Sequence, residues 1–177
     1  MKVSKLYIYP IKSLRPTPLT TAAISPEGIK YDRRYMLIKV EPGKDEAEPT
    51  LKNMHIPHFP EMGLFQTAVE FPKDNDDTGK IIVTYNPPST QEMDDPRPCE
   101  MKQIEIPIRI RLTQVKTMKE MKVVMHQSST TGYVMDDEYD DWFSECFGFP
   151  VILAYLGKCS REVLGTLTPE NRNNVPW

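Results

Sequence analysis

The sequence has few cysteines, few glycines and no long apolar run. Its 177 residues include three cysteines and eight glycines. No segment approaches the run of about 18 apolar residues that a membrane-spanning helix needs, so no such helix is predicted. The N-terminal residues also lack the apolar stretch of a signal peptide and the arginine- and serine-rich helix of a transit peptide. We therefore expect an intracellular protein without a membrane segment.

The three cysteines do not form a recognisable set of metal ligands or disulfide partners. Cys99, Cys146 and Cys159 contain no CxxC pair, and their spacing fits no zinc motif. An odd number of cysteines also argues against a disulfide framework. A reducing compartment is therefore expected, with the cytoplasm and the mitochondrion left open.

Several catalytic and phosphate-binding motifs are missing. The sequence contains no GxGxxG, GxxxxGKS/T, HExxH or GxSxG segment, which argues against the classes of enzyme that depend on them. Pro57 separates His55 from His58, so the two are not expected on one helix face. Packed loop histidines are therefore preferred to a metal site. No catalytic residue and no metal ligand is assigned.

The net charge of −3 hides an uneven distribution of charge. Residues 1–39 contain two acidic residues against eight basic ones, namely Lys2, Lys5, Lys12, Arg15, Lys30, Arg33, Arg34 and Lys39. A basic segment on an otherwise acidic chain indicates an anionic partner, with an ordinary solvated surface as the alternative. Nucleic acid is not the expected partner, because the total charge is negative and no basic stripe crosses several predicted elements.

The 17 prolines are about twice the ordinary share, and they exclude a helical bundle or a coiled coil. Short apolar or alternating runs predict about eight strands instead, at residues 3–9, 17–25, 35–40, 64–71, 81–85, 104–112, 121–126 and 151–156. The runs at 64–71 and 81–85 form a predicted hairpin. The alternation at 104–112 places Arg109 and Arg111 on one face and the apolar residues on the other, namely Ile104, Ile106, Ile108, Ile110 and Leu112. Pro107 in this run indicates an edge strand or a bulge. The fold class is therefore predicted to be mainly β, a small barrel or sandwich.

One amphipathic helix is predicted near the C-terminus. Asp136 and Asp137 can cap its first turn, and Gly148 and Pro150 end it. An apolar stripe between them follows the helical spacing, at Tyr139, Trp142, Phe143, Cys146 and Phe147. Capping also explains the acidic run at residues 136–141 better than a calcium loop does, because that run lacks the required glycine and ligand spacing.

The strongest local candidate for a binding site lies near the N-terminus. After the first predicted strand, Pro10 starts a turn that carries Lys12 and Ser13. Arg33 and Arg34 directly precede the apolar strand predicted at residues 35–40. An ammonium, a hydroxyl and an arginine fork suit phosphate oxygens or another anionic group. The competing interpretation is an ordinary polar turn.

The two segments that carry these residues resemble a known family. Residues 6–14 read Leu-Tyr-Ile-Tyr-Pro-Ile-Lys-Ser-Leu, and residues 31–37 read Tyr-Asp-Arg-Arg-Tyr-Met-Leu. Together with Gly28, they resemble the N-terminal β-barrel domain of MOSC proteins, which include the mitochondrial amidoxime-reducing components and their bacterial relatives. The predicted helix with Trp142 and Phe143, followed by a strand, is similar to a later part of the same domain.

The resemblance implies a domain organisation and a binding role. It implies a small β-barrel domain over residues 1–160, with a tail or linker at 161–177 that leads toward a C-terminal MOSC domain. It also implies that Lys12, Ser13 and Arg33 contact the phosphate or the pterin edge of a molybdenum cofactor (molybdopterin). Asp32 is expected to orient an arginine, and Arg34 receives no role.

The resemblance also bears on activity. In the family the molybdenum-ligating cysteine belongs to the C-terminal MOSC domain, and this sequence has no counterpart of that domain's Arg-Phe-Arg-Pro-Asn segment. After the third strand, Met54 stands where the family often has an arginine. We therefore expect the cofactor-binding domain of a molybdenum oxidoreductase that reduces N-hydroxylated compounds, inactive by itself. A non-catalytic module for an anionic small molecule or a protein partner is the alternative, and a purely structural domain is a third.

Overall fold

The structure, a computed structural model, describes residues 2–25, 28–43, 48–75, 77–88, 101–125 and 128–157. Cys99, Cys159, His126 and the tail predicted at 161–177 lie outside the described residues. The domain boundary predicted at residue 160 lies there as well, and it stays a prediction.

Twelve short strands, two α-helices and one 3₁₀ helix form the described part of the chain. The strands are β1 (Leu6–Ile8), β2 (Thr17–Leu19), β3 (Ile24–Ser25), β4 (Gly28–Ile29), β5 (Tyr35–Glu41), β6 (Thr50–Asn53), β7 (Phe65–Glu70), β8 (Lys80–Tyr85), β9 (Lys102–Pro107), β10 (Glu120–Met125), β11 (Ser128–Val134) and β12 (Val151–Tyr155). The helices are α1 (Leu112–Val115), α2 (Asp137–Phe147) and a 3₁₀ helix (Pro60–Leu64). The predicted mainly-β class is confirmed.

The strands form two larger antiparallel sheets and two short pairs. One sheet has the order β10-β11-β12-β5-β6, and the other has the order β7-β8-β9. The pairs are β1–β2 and β3–β4. The β-structure curls into a half-barrel, which is consistent with the predicted small β-barrel. A parallel bridge between Ile11 and Tyr35 joins the N-terminal segment to β5.

β5 is a deeply buried strand, as its apolar run predicts. Tyr35 and Leu37 pack into the main core, and Met36 and Ile38 pack into a second cluster. Neighbouring side chains of a strand point to opposite faces, so both faces of β5 are covered. All four of these side chains are at most 1% exposed. This strand therefore fixes the position of the residues that precede it, including Arg33.

The alternation predicted at residues 104–112 is confirmed in part. Four isoleucines are buried in the main core: Ile104, Ile106, Ile108 and Ile110. The prediction that Leu112 belongs with them was wrong, because Leu112 is 64% exposed. β9 ends at Pro107, which has no N–H to offer to a sheet, and the chain then turns into α1. β9 lies at the edge of its sheet, as Pro107 predicted.

The strand predictions needed correction where the sequence is polar. The strand predicted at 17–25 is two separate strands, β2 and β3. β4, β6 and β11 were not predicted. β6 reads TLKN and β11 begins SSTT, so neither shows the apolar alternation from which strands are inferred. β6 and β11 are strands because β5 and β10 offer backbone partners to them.

The predicted helix is confirmed as α2. Its C-terminal cap is Gly148, which has a φ of 74° and donates its N–H to the carbonyl of Ser144 at 2.8 Å. Asp136 occupies the N-cap position, but its side chain makes no capping hydrogen bond, so that detail of the prediction was wrong. Two polar side chains of α2 instead bind β12. Asp140 accepts the Leu153 N–H at 2.7 Å, and the Ser144 hydroxyl accepts the Val151 N–H at 2.9 Å.

Candidate functional site

The two segments singled out in the sequence run side by side in the structure. The Arg33 N–H donates to the carbonyl of Tyr9 at 2.7 Å, and the Tyr35 N–H donates to the carbonyl of Pro10 at 3.2 Å. The Lys12 N–H completes the ladder by donating to the carbonyl of Tyr35 at 2.8 Å. These bonds fix the backbone of the Lys12 turn against the backbone of Arg33, although 21 positions separate the two residues in the sequence. We call Lys12, Ser13 and Arg33 the N-terminal site.

The backbone of these segments is unusual. Among the described residues other than glycine, Ser13, Tyr31 and Arg33 alone have positive φ angles, of 69°, 70° and 50°. Such conformations cost on the order of 1–3 kcal/mol each, and they cluster at functional sites. Two of the three belong to the N-terminal site, and the third lies two residues before Arg33.

Arg33 is oriented from two sides but stays accessible. One of its nitrogens lies 3.0 Å from Oδ2 of Asp32, and its guanidinium carbon lies 5.5 Å from the centre of the Tyr9 ring. The other oxygen of Asp32 accepts the Tyr9 N–H at 2.8 Å, so Asp32 ties the arginine to the adjacent segment. The Arg33 side chain is still 63% exposed. Its remaining donors can therefore reach a ligand.

The N-terminal site is an open surface. Lys12 and Ser13 are half-buried, and the Arg33 side chain is exposed. No group of three histidine, cysteine or acidic residues suited to a metal occurs among the described residues. In the same residues, no helix is long and apolar enough to cross a membrane. The chemistry that this geometry offers is hydrogen bonding and charge pairing to an anion.

Comparison with known proteins identifies the family. A family model described as the MOSC N-terminal beta barrel domain matches residues 1–150. The chain belongs to this family. It is also 24% identical over 160 residues to a molybdenum cofactor sulfurase from Pyricularia oryzae, and the match covers 86% of this chain and 16% of that protein. The chain thus spans about a sixth of the length of that relative. No solved structure matches it.

Arg34 and Met54 of this MOSC N-terminal domain have structural positions that the sequence did not reveal. Arg34 donates a hydrogen bond to the carbonyl of Gly157 at 2.8 Å. This bond ties the Arg34 side chain to the segment that follows β12. Met54 is fully buried and donates its N–H to the carbonyl of Leu37 at 3.0 Å. It is a core residue, so a ligand at the surface cannot reach it.

The remaining sequence candidates that the structure describes do not form a reactive site. The rings of His55 and His58 lie 4.4 Å apart on a turn, and one ring nitrogen of His55 lies 3.3 Å from the carbonyl of Asn53. Burial raises the pKa of the Cys146 thiol to about 11. That thiol is therefore protonated at neutral pH and is a poor nucleophile. Cys146 packs against the main core, as its place in the apolar stripe predicted.

One group of cavity-lining residues was missed as a group. A cavity of about 730 Å³ is lined by the arginines of the chain segment after β9 and by two tyrosines of β11 and β12, and we call it the Arg–Tyr cavity. Its charged and aromatic members are Arg109, Arg111, Tyr133 and Tyr155. The sequence showed the two arginines on the face opposite the buried isoleucines. Tyr133 lies in a strand that was not predicted, so nothing in the pattern connected it to them.

Proposed function

We propose that this MOSC N-terminal domain binds a molybdenum cofactor, and that Lys12, Ser13 and Arg33 contact its phosphate or pterin edge. The observation that carries the proposal is the backbone ladder that fixes the Lys12 turn beside Arg33. The ammonium, the hydroxyl and the guanidinium are donors that suit phosphate oxygens and the polar edge of a pterin. Asp32 acts as a positioning residue for Arg33, to which it is already bound.

The proposal extends to the protein of which this domain would form part. The bound cofactor would supply a redox-active molybdenum, and the proposed parent is an oxidoreductase that reduces N-hydroxylated compounds such as amidoximes. A C-terminal MOSC domain is the proposed partner, and the metal ligand would come from it. We therefore propose that this domain is inactive by itself.

A second candidate function has its own support. The relative from Pyricularia oryzae is named a molybdenum cofactor sulfurase, which favours a parent protein that acts on the cofactor itself. A non-catalytic module that binds an anionic small molecule or a protein is the remaining alternative, and the basic N-terminal segment supports it. All three candidate functions use the N-terminal site, and they differ in the domain or partner that would act together with it.

Titration of the purified chain with molybdopterin under anaerobic conditions tests the proposed site. Lys12→Ala and Arg33→Ala should each weaken binding by about 1.5–3 kcal/mol, because each removes one charge-assisted hydrogen bond. Ser13→Gly deletes the hydroxyl but tolerates the positive φ, so it isolates the contribution of the side chain. Lys5→Ala is the matched control, since Lys5 is an exposed lysine of the same basic segment.

Circular dichroism of each variant checks that the fold is retained. Equal affinities of the wild type, Lys12→Ala and Arg33→Ala would remove these residues from the site. A loss of affinity in Lys5→Ala as large as in Lys12→Ala would indicate general charge attraction rather than a site.

A further inference from the structure

The Arg–Tyr cavity has the dimensions of a small-molecule site. Its volume of about 730 Å³ lies within the range of about 300–1,000 Å³ that such sites occupy. Its walls come from the chain segment between β9 and α1, from α1, and from β11 and the end of β12. None of the residues of the N-terminal site lines it. It is therefore a separate feature of the domain.

One part of the wall carries positive charge. Arg109 and Arg111 line the cavity, and none of its described lining residues is acidic. Nη2 of Arg109 donates to the carbonyls of Asn75 and Asp77 at 2.9 and 2.7 Å, and these bonds hold the guanidinium in place. The Asp77 carboxylate accepts backbone N–H groups of its own turn. Those backbone N–H groups lower the pKa of Asp77 most, and the charge of Arg109 also helps to lower it, so Arg109 and Asp77 attract each other. The bonds to Asn75 and Asp77 use only Nη2, and Nε and the other terminal nitrogen of Arg109 can serve a ligand.

Another part of the wall is aromatic. Tyr133 and Tyr155 are paired residues of β11 and β12, so their side chains lie on the same face of the sheet. Tyr155 is held by its ring contact with Tyr35, at 5.0 Å between ring centres. A Cβ at Gly157 would stand 3.3 Å from the Tyr133 ring and 3.5 Å from the Tyr155 ring. The glycine therefore leaves space beside both rings.

We propose that the Arg–Tyr cavity binds a small aromatic anion, a flat ring that carries a phosphate or a carboxylate group. The ring packs against the tyrosines and the apolar side chains of Leu112 and Val115, which also line the cavity. The anionic group accepts hydrogen bonds from Arg109 and Arg111, whose planar forks match phosphate and carboxylate oxygens. Selective binding therefore requires a ligand that carries both an aromatic ring and an anionic group.

Isothermal titration calorimetry of the full chain tests this proposal with AMP and 2-naphthoate as aromatic anions. Adenosine and inorganic phosphate are the comparison ligands, since each offers one half of the recognised chemistry. We expect AMP or 2-naphthoate to bind at least about tenfold more tightly than either half, because a charge-assisted contact is worth that much. Failure of both aromatic anions to bind better than the halves would overturn the proposal.

Three variants locate the binding. Arg111→Gln and Leu112→Glu change exposed side chains of the cavity, and each should weaken AMP binding at least about tenfold, by loss of a donor or by charge repulsion. Lys116→Gln is the matched control, because Lys116 is an exposed cation outside the cavity. This variant should bind AMP with the affinity of the wild type. If Lys12→Ala weakens AMP binding and Arg111→Gln does not, AMP binds the N-terminal site and the proposal is wrong.

Discussion

Thr67 shows how single polar side chains hold this fold together. Its side chain is buried, at 7% exposure. Its hydroxyl donates to the carbonyl of Arg15 at 2.7 Å, and its carbonyl accepts the Thr17 hydroxyl at 2.8 Å. Thr67 therefore joins β7 to the segment that contains β2. Thr130 offers a contrast, because its buried hydroxyl has no hydrogen-bond partner among the described residues.

We predict opposite effects for the same substitution at these two threonines. Thr67→Val should lower the free energy of unfolding by about 1–3 kcal/mol, because the Arg15 carbonyl loses its donor. Thr130→Val should leave that free energy unchanged or raise it, because it removes a hydroxyl that makes no hydrogen bond. Urea denaturation followed by far-ultraviolet circular dichroism measures both. Equal destabilisation by the two changes would show that the hydrogen bonds of Thr67 contribute nothing specific.

At the scale of single residues, the sequence was enough to propose Lys12, Ser13 and Arg33 as a binding site, and their role in binding stays a prediction. The types and spacing of Lys12, Ser13 and Arg33 are local properties of the sequence, and so is the family resemblance that they carry. Asp32 accepts hydrogen bonds from the Tyr9 N–H and from the Arg33 guanidinium, which fits the expectation that Asp32 orients an arginine. The burial of Met54 was not predictable, because it depends on a backbone bond to β5.

At the scale of elements, α2 is attached to β12 through a carboxyl group. Asp140 accepts the Leu153 N–H, and burial, the largest cause, raises the pKa of Asp140 to about 6. The hydrogen bond from Leu153 opposes that shift, and the nearby charges of Asp137 and Asp141 add to it. The folded chain therefore holds this proton more tightly than the unfolded chain does.

The stability of the domain should consequently depend on pH through Asp140. Since the pKa is raised on folding, the contribution is fully present below about pH 4 and is lost as the pH rises through about 6. Asp140→Asn keeps an acceptor for Leu153 and should remove this dependence. At pH 7 it should raise the free energy of unfolding by about 1–2 kcal/mol, after allowance for solvent screening.

Denaturation curves at pH 4, 5, 6 and 7 measure that effect. Glu138→Gln removes an exposed carboxylate from the same helix and should leave the slope between pH 4 and 6 in place. An unchanged slope in Asp140→Asn would assign the pH dependence to other groups.

Helices and strands were predictable where the pattern of their own side chains indicated them. The apolar stripe of α2 and the apolar run of β5 indicated both elements and their ends to within a residue or two. β6 and β11 escaped prediction because their strand conformation depends on a neighbouring strand. The break between β2 and β3 escaped for a related reason, since β2 pairs with β1 while β3 pairs with β4.

At the scale of the whole molecule, Phe65 connects the smaller sheet to α2. It is fully buried at the start of β7. Its ring centre lies 4.7 Å from that of Phe147, 4.8 Å from that of Tyr85 and 5.8 Å from that of Phe143. The ring thus contacts β8 and two turns of the helix. Phe65 therefore links the smaller sheet to α2 within the main core.

Phe65→Ala should therefore destabilise the whole domain. We expect the free energy of unfolding to fall by about 3–5 kcal/mol, the usual cost of emptying a buried aromatic position. Phe71→Ala is the matched control, because Phe71 is 41% exposed, and it should cost well under half as much. Near- and far-ultraviolet circular dichroism should report one common transition. Separate transitions for secondary and tertiary structure would contradict the view of one cooperative core.

Local sequence patterns were enough to predict the mainly-β class and the position of α2, and to propose the residues of the N-terminal site. These depend on local patterns: prolines that exclude long helices, an apolar stripe at helical spacing, and two short motifs. The tertiary structure alone decided that the Lys12 turn lies against Arg33, that Met54 is buried and that Arg109 and Arg111 share a cavity with Tyr133 and Tyr155. Each of these depends on pairing between residues far apart in the chain, and local propensity does not encode such pairing.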